Sequence, residues 1–100
     1  MITLDALIKW AKLIKDTLDR ARFVIGGTEV ERSFFKLEAS GTKITVLIYL
    51  TDTDIGKVED LEVIAEDGTV LLRKPDTIIK DQTEGYIVGF ILELIGSEIG

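Results

Sequence analysis

The sequence contains no cysteine and no histidine. Without cysteine there is no disulfide framework and no thiol nucleophile, and without histidine the commonest general base is missing. Hydrolase triads and imidazole or thiolate metal sites are excluded together. Ser33, Ser40 and Ser97 lack the glycine pattern of a nucleophile elbow. The sequence therefore predicts a protein that is not an enzyme and holds no metal and no cofactor.

Concentrated positive charge and long apolar runs are also missing. The net charge is −6, and no basic cluster exceeds Arg73-Lys74, so we expect no nucleic-acid partner. The longest apolar stretches, Ile44 to Leu50 and Tyr86 to Leu92, fall far short of the roughly 18 residues of a membrane span. Asp5 precedes any basic residue and no cleavage site follows an apolar run, so no secretion signal is expected.

The 100 residues present fit one domain, from residue 1 to residue 100. Apolar residues make up 46% and the mean hydropathy is +0.26, which is rich for so small a chain. We therefore expect part of the apolar surface to meet another subunit.

The first 22 residues carry a helical apolar stripe. Its members recur at alternating spacings of three and four: Leu4, Leu7, Ala11, Ile14, Leu18 and Ala21. Thr3 can cap this helix, and Asp5 suits the positive end of its dipole. The pattern predicts a helix over about residues 3–22, with a predicted oligomer interface of Leu4, Leu7, Trp10, Ala11, Ile14 and Leu18. Trp10 lies on the flank of the stripe and fits equally a cap on the chain's own core or an anchor between subunits.

After Gly26-Gly27 the periodicity becomes alternating, which predicts about six strands over residues 22–95. Gly26-Gly27 and Asp67-Gly68 indicate hairpin turns, and the change of parity at Phe34-Phe35 indicates a bulge or bend. The strands 44–50 and 86–94 are apolar on both sides and are predicted to be of the central type. Residues 96–100 are expected to fray. The fold class is α+β, with an N-terminal helix followed by an antiparallel meander that forms a small sandwich or half barrel.

The acidic residues fit a solvated surface better than a reactive site. Glu59, Asp60, Glu62, Glu66 and Asp67 alternate along a strand or lie at turns, as on a solvated sheet face. An enzyme that uses only carboxylates and lysines would need two close acids in a cleft, and the sequence places none.

The segment from Asp52 to Gly56 resembles the start of a calcium loop, because Asp52 and Asp54 alternate before a glycine. The match fails at Ile55, which stands where a ligand is needed, and the bidentate glutamate is missing. An ordinary acidic loop is the favoured interpretation, with a weak cation site as the alternative.

Four segments together resemble small tail-module proteins of Gram-positive bacteriophages and prophages, of the baseplate or receptor-binding accessory type. They are 21–27, 44–50, 63–70 and 85–90. The resemblance lies in the order and general residue character of these segments over most of the chain. It implies no catalytic residue. It implies a structural virion component, symmetric and often trimeric, with other tail proteins as further partners. Such a protein would be found in the virion or, during assembly, in the host cytoplasm.

The leading hypothesis is a non-enzymatic structural protein of a tail that self-associates through its N-terminal helix. The alternative is a monomeric β-sandwich module that recognises a peptide or sugar through its loops, Thr51 to Lys57 and Asp76 to Gly85. The two differ in the helix stripe. An open apolar face favours assembly, and a stripe consumed within one chain favours the module.

Overall fold

A computed structural model describes residues 1–80 and 84–96 of the chain. One helix, α1, is followed by eight antiparallel strands, which confirms the α+β class. Their bounds are α1 Leu4–Thr17, β1 Leu18–Ile25, β2 Thr28–Arg32, β3 Lys36–Ser40, β4 Lys43–Leu50, β5 Gly56–Ala65, β6 Val70–Lys74, β7 Ile78–Lys80 and β8 Tyr86–Glu93.

The strands form two sheets, which meet around a shared apolar core. The first has the order β2-β1-β5-β6, with β7 also paired to β5, and the second has the order β3-β4-β8. Neither closes into a barrel within the described ranges. Because β5 pairs with β1, the first sheet is not a simple meander. The core draws on both sheets, with Phe23 and Leu61 from one and Ile48 and Val88 from the other.

The helix is shorter than its apolar stripe. It begins after Thr3, whose hydroxyl accepts a hydrogen bond from the amide of Ala6, and it ends at Thr17. The prediction of a helix to about residue 22 is therefore wrong by a turn, and the β domain begins at Leu18. Residues 18–25 are extended because β1 receives ladder hydrogen bonds from β2 on one side and from β5 on the other. Leu18 and Ala21 reach the core from this strand.

The predicted bend at Phe34-Phe35 separates two strands that belong to different sheets. β2 ends at Arg32 in the first sheet, and β3 begins at Lys36 in the second. The change of parity thus marks a crossing between layers, which raises the strand number above six. β7 is a further strand, within the predicted loop Asp76 to Gly85. Residues 81–83 of that loop and residues 97–100 of the predicted frayed tail lie outside the described residues.

A β-bulge in β5 shifts its inward face by one residue. Between the pairs Arg22–Glu62 and Val24–Glu59, the single residue Phe23 of β1 faces two residues of β5, and one of these, Asp60, has a φ of +53°. An aspartate tolerates this left-handed conformation better than most residues. The bulge lets Val58 and Leu61 both point inward, although their spacing of three would otherwise place them on opposite faces.

The two strands predicted to be central differ in position. β4 lies between β3 and β8, as predicted. β8 has β4 as its only paired neighbour among the described residues, so its prediction as a central-type strand is wrong. Its sequence is apolar on both sides although only one of its edges is paired.

Candidate functional site

The strongest candidate for a functional surface is an apolar groove between α1 and the chain that leaves β8. We call it the helix groove; its volume is about 420 Å³, and its lining residues are Ile2, Leu7, Trp10, Leu13, Ile14, Leu94 and Ile95. α1 contributes its residues at helical spacing, and the two termini contribute the rest. A groove of this composition binds apolar side chains and offers little for a polar ligand.

Part of the helix face is open to solvent. Leu13 is 54% exposed and Trp10 is 45% exposed, and Ile2 and Ile95 at the termini are exposed as well. Ile14 instead packs against the core. The stripe is therefore shared, because one side of the helix serves the fold and the other is unpaired in the single chain.

The residues of the predicted oligomer interface do not all lie in this groove. Leu7, Trp10 and Ile14 line it, and Leu4 is 64% exposed one turn earlier. Ala11 is fully buried in the core, and Leu18 is buried on β1. Those last two are enclosed within the chain, so the available surface consists of the other four.

The contribution of the two termini to the groove is not predicted by the sequence pattern. Ile2, Leu94 and Ile95 complete it, and the spacing rules that found the helix stripe do not extend to them. Leu13 also lines the groove but is not among the predicted interface residues. The sequence signal that could have found this part of the groove is the run of apolar residues that continues to Ile95, beyond the end of β8.

A second site is polar and lies on the outer face of the first sheet. Both oxygens of Glu62 are bound there: Arg22 Nη2 donates to Oε1 at 2.9 Å, and Arg73 Nη2 donates to Oε2 at 2.6 Å. Glu29 and Asp60 also line this cleft of about 420 Å³. The prediction of a solvated acidic face is wrong for Glu62, which is buried because its neighbours across the sheet are arginines.

The charge balance at Glu62 explains its ionisation. Burial alone would raise its pKa, but the hydrogen bonds and charges of Arg22 and Arg73 outweigh burial and lower the pKa. A carboxylate held ionised between two guanidinium groups is a poor general acid or base. The arrangement is that of a structural ion pair across three strands, β1, β5 and β6.

A third polar cluster closes the loop after β4. Arg32 donates from both terminal nitrogens to Asp54, and the Nη2–Oδ1 distance is 3.1 Å. The amide of Thr51 donates to Asp54 Oδ2 at 2.6 Å. The guanidinium also lies 5.3 Å from the ring centroid of Phe23. Since Arg32 belongs to β2 and Asp54 follows β4, this ion pair joins the two sheets.

Arg32 pairs with Asp54, which is one of the two aspartates that made the loop from Asp52 to Gly56 resemble a cation site. Asp54 is buried and its carboxylate is bound to Arg32 and Thr51. In the described ranges, 1–80 and 84–96, no group of three or more acidic side chains is placed to hold a metal ion. Over the same residues, no helix is long and apolar enough to cross a membrane.

Comparisons with known proteins identify no family for this chain. No family model matches the chain, and neither the curated proteins nor the solved structures give a match.

Proposed function

We propose that this chain is a non-enzymatic structural subunit that associates with further copies of itself through the helix groove. The observation that carries the proposal is the exposure of Trp10 and Leu13 beside a groove with an apolar lining. Exposed aromatic and aliphatic side chains in a continuous patch are typical of protein interfaces.

A second copy is the occupant that the surface area favours. The accessible surface of the chain is 6542 Å². A compact monomer of its mass, 11.1 kDa, has about 5,700 Å². The chain thus exposes about 800 Å² more than a compact monomer of its mass, which leaves surface available for a contact with a partner. The apolar side chains that α1 leaves exposed, Leu4, Trp10 and Leu13, would be covered by the same side chains of a second copy.

The resemblance to tail-module proteins supports a place for this subunit in a bacteriophage or prophage tail, as a trimer beside other tail proteins. Its location would then be the virion, or the host cytoplasm during assembly. The monomeric loop-binding module has less support, since Thr51 and Asp54 bind each other and Arg32 rather than facing outward.

Two helix variants test the proposal. Leu13→Asp places a charge in the groove at a position that the core does not need, whereas Lys12→Asp puts the same residue at the neighbouring exposed position. In sedimentation or light scattering at tens of micromolar, the parent and Lys12→Asp should form the same oligomer. Leu13→Asp should be a folded monomer.

Each result has a definite meaning. A strictly monomeric parent contradicts self-association. An oligomeric Leu13→Asp protein of unchanged mass contradicts the assignment of the interface to the helix groove. Far-UV circular dichroism should show the parent spectrum for both variants, so that loss of the oligomer can be separated from loss of the fold.

A further inference from the structure

We propose that the free edge of β8 is a second self-association surface, at which it pairs antiparallel with β8 of another copy about a twofold axis at Gly89. This inference is independent of the helix groove. The observation behind it is that β8 is an edge strand although its sequence is apolar on both sides.

β8 differs from the other edge strands that the structure describes. β2, β3 and β6 have five residues each, β7 has three, and all four contain at least one charged residue. β8 has eight residues and a single charge, Glu93, at its last position. Natural proteins protect free edges with short strands and charges. The edge of β8 has neither protection over the residues from Tyr86 to Leu92.

The backbone hydrogen bonds of β8 leave a regular set of groups for a partner. The amide of Leu94 donates to the carbonyl of Thr42, in the same register that pairs Leu92 with Ile44 and Val88 with Ile48. In an antiparallel ladder the bonded residues alternate, so the even-numbered residues of β8 bond to β4. The amides and carbonyls of Ile87, Gly89 and Ile91 therefore point away from β4.

Pairing about Gly89 matches these groups to themselves. Gly89 then faces Gly89 of the second copy, and Ile87 faces Ile91 in both directions, which gives about six hydrogen bonds between the strands. Ile87 is 49% exposed and Ile91 is 73% exposed in the single chain. Both project from the same outer face of the sheet as Tyr49, so the register joins the exposed apolar side chains of the two copies.

The charges are compatible with this register. Glu93 lies opposite Lys43 of β4 in the same sheet. The twofold arrangement sets the Glu93 side chains of the two copies at opposite ends of the strand pair, eight residues apart along the ladder. The Glu93 side chains of the two copies therefore do not face each other.

The size of the contact sets its strength. One strand of eight residues from each copy is fewer than the about 20 to 30 residues a side of a standard interface. The dimer should therefore dissociate in the micromolar range or above, and the two surfaces can be studied separately.

Amide hydrogen exchange followed by NMR over a range of protein concentrations tests the register directly. The amides of Val88, Phe90 and Leu92 should be protected at all concentrations, because they bond to β4. Those of Ile87, Gly89 and Ile91 should gain protection only as the protein associates. If these three exchange at one rate up to about 1 mM protein, a concentration that would populate even a weak dimer, the inference is overturned.

Charge substitutions test which residues face each other. Ile87→Lys and Ile91→Glu should each weaken the strand dimer by about tenfold or more. Each substitution places a charge opposite an isoleucine of the other copy, and the twofold symmetry repeats this at two positions in the dimer. The double variant with both changes should recover most of the loss, since each lysine then faces a glutamate. The matched control, Ile87→Lys with Ile91→Lys, should not recover. Equal weakening in the two double variants would contradict the pairing of Ile87 with Ile91.

The two surfaces give separable results. Leu13→Asp should leave the concentration-dependent protection of Ile87, Gly89 and Ile91 intact. Loss of that protection in Leu13→Asp would mean that β8 has no independent interface. A parent that associates through the helix while these amides stay unprotected would overturn the β8 inference and leave the proposed function standing.

Discussion

Asp54 connects the two sheets through one carboxylate. The hydrogen bond from Arg32 is the main reason that its pKa falls from 3.8 to about 2, with the Thr51 hydrogen bonds adding to it and burial opposing it. Because the folded-state pKa lies below the value in the unfolded chain, ionised Asp54 stabilises the fold above about pH 4. That stabilisation is lost as the pH falls from about 4 towards 2.

We expect Asp54→Asn to lower the free energy of unfolding by about 2 kcal/mol at pH 6, from the size of this pKa change. At pH 2.5 the difference from the parent should be much smaller, because most of this stabilisation is lost as the pH falls from the unfolded-state pKa of 3.8 towards the folded-state pKa of about 2. Urea unfolding at both pH values measures it. Asp52→Asn, an exposed change in the same loop, should follow the parent. A deficit for Asp54→Asn that is independent of pH would contradict the ion-pair explanation.

Glu62 should be the most sensitive member of its own cluster. Its side chain is 8% exposed, whereas that of Arg73 is 63% exposed and can be hydrated if its partner is lost. Glu62→Ala leaves two arginines without their shared acceptor and should lower the free energy of unfolding by about 2 kcal/mol. Arg73→Ala should cost only a small part of that, because exposed ion pairs contribute little. Equal losses for the two variants in urea unfolding would refute this ranking.

At the scale of elements, turn chemistry and hydrophobic pattern predicted much of the fold. Gly26 and Gly27 both have positive φ in a two-residue hairpin, as their pairing in the sequence indicates. The central position of β4 followed from its two apolar sides. These features depend on neighbouring residues, and single-sequence reasoning reaches them.

The features that were missed depend on partners distant in sequence. Leu18 and Ala21 fit a helical stripe, yet pairing with β5 draws them into a strand. The bulge at Asp60 depends on the register against β1, and the burial of Glu62 depends on Arg22 and Arg73. The helix groove was predicted only in part, because its walls include both ends of the described chain.

The outer face of the second sheet also depends on one glycine. A Cβ at Gly85 would lie 2.1 Å from the hydroxyl of Tyr49, whose ring packs 5.6 Å from that of Phe35. Gly85→Ala should therefore displace the Tyr49 ring and lower the free energy of unfolding by about 1 kcal/mol.

A double-mutant cycle isolates this effect. In a Tyr49→Ala background, Gly85→Ala should cost almost nothing, because the displaced ring is absent. Thermal unfolding of the four proteins gives the coupling. Additive losses would show that Gly85 is needed for a reason other than Tyr49.

At the scale of the whole molecule, the chain exposes more surface than its mass requires. Its radius of gyration is 15.5 Å, against about 13 Å for a compact domain of this length. Exposed large apolar side chains lie on the open side of α1 and on the outer face of β8, and others lie in or beside the first sheet, at Ile55, Val70, Leu71 and Ile79. The proposed contacts between copies would cover these surfaces.

Trp10 can report directly on association through the helix groove, because it is the only tryptophan in the sequence and lines that groove. Its fluorescence can be titrated with acrylamide at protein concentrations below and above the association midpoint. Quenching should fall and emission should shift to shorter wavelength as the protein associates, with no such change in Leu13→Asp. Association of the parent with Trp10 equally accessible throughout would contradict the claim that copies meet at the helix groove.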